Sequence, residues 1–279
     1  MNKEMSILKT VGLCILSIVI LAISQGVASI WYMLKIRGIE SILFAITYIG
    51  LSYIFLKLMV EKILHRNLAD FRIKGFGLKP WWILLGIAIP VFVIACFLIF
   101  IKGDYSVTQM SAQKTINSVI FAIFVTGIGA GVVEEMVFRG IIMKLVEEKS
   151  NAITAILLPS ILFAAVHLMN GKLQLSSALL LILGGTFVGV LFSAMTYLND
   201  STWASTSLHV LWNIFIIGGI FNIGITKDPT AIVNYKLHST NLFLTGGEFG
   251  IEVAMFAIIA YLLSTLAVYM NRGKLSKNK

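Results

Sequence analysis

The chain has 279 residues, of which 58% are hydrophobic and 13% charged. A water-soluble globular domain of ordinary composition carries about twice that share of charge, so a soluble enzyme is excluded. The formal charge of +9 does not point to nucleic acid, because the basic residues sit in connections and tails beside apolar stretches, where topology and anionic lipid account for them.

A spanning helix needs roughly 20 mostly apolar residues. In chain order, such stretches fall near 8–34, 39–60, 81–101, 115–143, 152–169, 176–197, 203–221 and 249–270. Their continuous apolar character, without the alternation of barrel strands, predicts an all-α polytopic membrane bundle of about eight helices. The first stretch, after Lys3 and Lys9, is too long for the apolar core of a cleaved signal and reads as an uncleaved span. Residues 61–80 read as an amphipathic or looped connection and 222–247 as a polar loop. Neither is long enough for a second domain, so 1–279 reads as a single transmembrane domain. With the N-terminus inside, 14 of the 22 Lys and Arg fall on the cytoplasmic side and seven outside, which predicts that both termini face the cytoplasm. Cys14 and Cys96 lie far apart in apolar stretches, without metal-ligand spacing, and read as packing residues.

Arg139 is the remaining basic residue, and it lies inside the fourth stretch with two glutamates, in GAGVVEEMVFRGII. Each such charge at the centre of a membrane helix costs on the order of 2.5–3.5 kcal/mol on insertion scales, so three together require pairing or function. Glu135 and Arg139 are four apart on one helix face and can neutralise each other. Glu134 points about 100° away from Glu135 and needs another partner. Two further stretches carry polar residues in pairs of the same spacing: His167 after Phe163 in FAAVH, and His209 with Asn213 in HVLWN. If these faces converge, the interior holds a carboxylate, two imidazoles and a carboxamide, a set suited to activating water. Glu134, His167 and His209 equally match the ligand set of zinc hydrolases with an open fourth position, so the residues alone leave metal-free and zinc chemistry open.

Other features read as structure. Gly127, Gly129 and Gly131 precede Glu134 inside an apolar span and suit close helix approach, as do Gly185 and Gly189. Glu248 and Glu252 read as membrane-surface groups at the start of the last helix. There is no HExxH helix and no GxSxG elbow.

In their order along the chain, EExxxR, FxxxH and HxxxN resemble the CPBP family of intramembrane proteases, also called Abi or type II CAAX prenyl endopeptidase-like proteins. The resemblance covers roughly residues 127–221, within an expected catalytic core of about 115–221. It implies a catalytic set of Glu134, His167, His209 and Asn213, supported by Glu135 and Arg139. It also implies hydrolysis of a peptide bond in a peptide or membrane-protein substrate, with Glu134 as base on a water assisted by His167, and His209 and Asn213 stabilising the oxyanion. The family has been described both as glutamate-type, without a cofactor, and as zinc-dependent through Glu134, His167 and His209. A non-catalytic membrane scaffold or bacteriocin-immunity protein that binds a partner is the alternative reading.

Overall fold

The computed structural model describes residues 5–271. The chain runs through α1 (Ile7–Leu34), α2 (Ile39–Leu64), α3 (Pro80–Phe100) and α4 (Ala112–Glu147), which are long and apolar enough to cross a membrane. Next come α5 (Ala152–His167), α6 (Leu175–Asn199), α7 (Thr202–Trp212, continued by a wider π turn Asn213–Ile217) and α8 (Met255–Met270). Of these, α6 is also of spanning length, while α5 and α8 are shorter apolar helices. Each of the eight expected stretches overlaps one of these helical segments, of which five meet the length and apolarity of a span. Outward-facing apolar side chains such as Leu8, Leu84, Ile99 and Leu179 are exposed, as expected where lipid is the solvent.

The all-α expectation needs one addition. β1 (Gly103–Val107), β2 (Phe221–Gly224) and β3 (Val233–Leu237) form a small sheet in the order β1-β3-β2. β1 and β3 are antiparallel, and β2 runs parallel to β3. The sheet ties the chain after α3 to the long connection between α7 and α8, most of which the sequence reads as a polar loop. Asn234 anchors it, accepting from the Asp228 backbone and the Asn222 side chain and donating to Thr108 Oγ1.

At the opposite end of α3, the segment 65–79 gathers three helix termini. Arg72 pairs with Glu147 at the end of α4 (2.8 Å) and with Asp200 after α6 (3.3 Å). Its carbonyl accepts the backbone N–H of Thr202, the first residue of α7. Arg66 reaches Glu148 at 2.8 Å. These contacts set where α7 begins and therefore how deep its polar residues lie.

Glycine sets the spacing of the inner helices. A Cβ on Gly131 of α4 would stand 2.7 Å from Cγ2 of Val210 and 3.2 Å from its backbone nitrogen, and one on Gly127 would stand 2.6 Å from Ile214. α4 and α7 therefore touch backbone to side chain, as the glycine spacing predicts. Gly185 and Gly189 of α6 meet Ala164 and Ser160 of α5 in the same way. Gly131→Val overpacks this seam and lowers stability by about 1–3 kcal/mol. The thermal unfolding midpoint in detergent reports the loss; Gly12→Ala, at a position with nothing within 4 Å of the added carbon, is the control that leaves the midpoint in place.

Candidate active site

The three polar motifs converge. Glu134, His167, His209 and Asn213 all line one cavity of about 280 Å³ between α4, α5, α6, α7 and the turn before α8. Its remaining wall is mostly apolar and aromatic, with Phe163, Phe192, Trp212, Phe249 and Tyr261. Such a cleft, with a few convergent polar groups, is the usual form of a small binding site.

The two glutamates separate as the helix turn requires. α4 is α-helical over Ala130–Glu135 and widens into π turns on both sides, at Ala122–Gly129 and Met136–Ile142. π turns inside a helix frequently mark functional sites because they re-aim the side chains that follow. Here Glu135 and Arg139 turn into the protein, both fully buried, and pair at 2.9 Å. Arg139 also donates to the Gly189 carbonyl at 3.4 Å, and its guanidinium lies 4.3 Å from the centre of the Phe163 ring. A desolvated guanidinium over an aromatic face gains from the ring quadrupole, so Phe163 shields the pair as well as lining the cavity.

Glu134 faces the cavity instead. The imidazole of His209 stands beside it, with Nε2 3.8 Å from Oε2, and that oxygen has no hydrogen-bond partner. The same imidazole is held from behind: Nδ1 lies 2.8 Å from Glu135 Oε1. With Nδ1–H donated to this carboxylate, the ring orientation is set and Nε2 is presented toward Glu134. Phe192 stacks on the ring at 4.8 Å. His209 thus joins the supporting ion pair to the cavity, a three-way link that the spacing of the motifs does not reveal.

His167 is the last residue of α5, and its Nδ1 lies 2.8 Å from the carbonyl of Phe163, four residues earlier. The FxxxH spacing therefore has two uses. The Phe163 carbonyl fixes the imidazole tautomer with Nδ1 protonated, and the Phe163 ring packs on His167 and His209. Among the described residues, it is His209 and not His167 that stands within ion-pair range of Glu134. Asn213 opens the π turn at the end of α7 and donates one amide N–H to the Thr126 carbonyl at 2.8 Å. Its second N–H is uncommitted among the described residues.

Among the described residues, no three His, Cys, Asp or Glu side chains are grouped so as to hold a metal ion. Both imidazoles have Nδ1 tied to an oxygen and leave Nε2 toward the cavity, as histidines that ligate a metal also do, and Nε2 of His209 lies 3.8 Å from Glu134.

One cavity residue is assigned elsewhere by the sequence. Glu252 lies in a 3-10 turn, Ile251–Val253, ahead of α8, and lines the cavity. Helix α8 begins at Met255, later than the expected 249, so Glu252 is not in its first turn at a membrane surface. The available signal was its setting, a carboxylate directly between Ile251 and Val253. Glu248 behaves differently, accepting the Gln174 backbone N–H at 2.8 Å beside the start of α6.

Comparison with known proteins converges on the same region. The model of the type II CAAX prenyl endopeptidase Rce1-like family matches residues 116–215, which contain all seven residues of the three motifs. "Putative membrane peptidase YdiL" of Bacillus subtilis (strain 168) is 24% identical over 190 residues, covering 66% of this chain and 72% of the relative. No solved structure matches.

Proposed function

We propose that this chain, a membrane protein of the CPBP protease family, is an intramembrane endopeptidase that hydrolyses a peptide bond by glutamate-activated water. The observation that carries the reading is the separation of the two adjacent glutamates: one is neutralised inside the protein and orients an imidazole, while the other is left unbonded at the cavity wall. A purely structural role would bury both.

In this mechanism Glu134 takes a proton from a water as the water oxygen bonds to the scissile carbonyl carbon. The tetrahedral oxyanion is met by the uncommitted N–H of Asn213 and by the imidazole of His209, with Glu135 holding the far side of the ring. On collapse the C–N bond breaks, and the leaving nitrogen takes the proton from Glu134. His167, with its Nε2 free, assists at the cavity wall by accepting a hydrogen bond from the water. Preorganised donors of this kind act strongly because the site is largely dry and nothing needs to reorient. The substrate is a peptide or a membrane protein, and both termini of the chain lie on the cytoplasmic side.

Purified wild type in detergent is offered a peptide library alongside Glu134→Ala, and zinc content is measured on both. Cleavage by the wild type alone, without stoichiometric zinc, supports the reading. Activity that tracks zinc overturns the glutamate mechanism. A folded wild type that cleaves nothing, with a cellular effect preserved in Glu134→Ala, replaces the enzyme with a partner-binding scaffold.

A further inference from the structure

Glu252 lines the cavity, and the mechanism above leaves it unused. Its position is built. The turn that carries it packs on α6 so closely that a Cβ on Gly184 would stand 2.7 Å from Cβ of Val253. The fully buried Tyr261 of α8 donates its hydroxyl to the Glu252 carbonyl at 3.0 Å. Its carboxyl group is desolvated by its surroundings, with no hydrogen-bond or charge partner among the described residues.

The one imidazole of the cavity wall that stands near carboxylates, His209, is held between Glu134 and Glu135 and so does not match Glu252. Glu134 and Glu252 both line the cavity, and no Lys or Arg does. The nearby guanidinium of Arg139 is already committed to Glu135 and to the Gly189 carbonyl. A carboxylate taken out of water without a partner is costly, and a cation entering the cavity removes that cost for Glu252 and gains from the surrounding aromatic faces. An acidic or purely apolar occupant does neither.

We infer that Glu252 is a substrate-binding group that takes a cationic nitrogen of the peptide, from a Lys or Arg side chain or a free N-terminus, placed beside the bond presented to Glu134. The inference rests on the endopeptidase reading and deepens it, naming peptides with a positive charge near the cleaved bond as the substrate class. Glu252 binds substrate and takes no part in the proton transfers.

The test compares wild type, Glu252→Gln and Glu252→Asp on matched peptides that carry lysine or norleucine beside the cleaved bond, each with a free or acetylated N-terminus. One charge-assisted hydrogen bond in a desolvated site corresponds to about tenfold, so wild-type kcat/KM for the cationic member of a pair is expected to exceed the neutral one by about that factor, mostly through KM. The pair that shows the preference identifies the source of the charge: the lysine pair a side chain, the acetylation pair the N-terminus. In Glu252→Gln the ratio falls to near one, and Glu252→Asp restores it in part, which a variant that merely misfolds does not do. Retention of the cationic preference in Glu252→Gln overturns the inference, as does a wild type that cleaves norleucine and lysine peptides equally. Either result leaves the endopeptidase standing, whereas cleavage of no peptide by folded wild type removes the endopeptidase and the inference with it.

Discussion

Glu134→Gln is expected to leave a folded protein whose peptide hydrolysis is slower by about 10²–10⁴-fold, the usual contribution of a positioned general base. The amide keeps the size and the cavity-facing position of the carboxylate but cannot accept the proton of an attacking water. Because Oε2 of Glu134 makes no hydrogen bond within the protein, the change breaks no internal hydrogen bond, and thermal stability should stay within about 0.5 kcal/mol of wild type. The loss should fall on kcat, since the group acts only as the water attacks. Glu135→Gln provides the contrast. It lies one residue away but sits in the buried network with Arg139 and His209, so it should lower stability as well as rate. Single-turnover rates measured beside unfolding midpoints separate the two. If both variants lose rate and stability together, Glu134 is part of the scaffold and the division of labour between the glutamates fails.

Much of this arrangement is legible in the sequence because it is local. Apolar runs mark the helices, since lipid leaves the backbone no alternative. The four-residue spacings of Glu135 with Arg139 and of Phe163 with His167 announce contacts that a helix makes by itself. What the sequence hides is set by distant contacts. The link from His209 to Glu135 spans two helices and depends on how far Gly131 lets α7 approach. The depth of His209 depends in turn on Arg72, which fastens the start of α7 to the ends of α4 and α6. The small sheet is hidden for a different reason. β2 and β3 are four and five residues long, and β1 lies far away in sequence, so no run of alternation is long enough to stand out. Glu252 is missed because apolar residues on both sides extend the last helix on paper by several residues, whereas the chain there makes a separate turn with Gly250 at φ 116°. That backbone region is open to glycine and strained for other residues, so the break comes from conformation and not from polarity.

Arg139→Met should be the most damaging single change to the fold. The side chain is fully buried, is nearly isosteric with methionine along its stem, and holds the only guanidinium that touches Glu135 among the described residues. Removing one partner of a buried ion pair leaves the other charge uncompensated, at about 3–5 kcal/mol. The aromatic faces of Phe163 and Phe192, packed at 4.3 and 5.3 Å from the guanidinium, lose their cation at the same time. Glu135 would then have His209 as its remaining charged partner, pulling that imidazole toward the interior and away from Glu134. Activity should therefore fall even in the fraction that stays folded. The double variant Glu135→Gln with Arg139→Met removes both charges and should recover a large part of the lost stability, because a neutral amide is far cheaper to bury than an unpaired carboxylate. It should not recover activity, since the carboxylate that orients His209 is gone. Unfolding midpoints and cleavage rates for the two single variants and the double form a cycle whose coupling energy measures the pair. Near-additive losses would mean that Arg139 acts through packing on the phenylalanines and that its charge does not support the site.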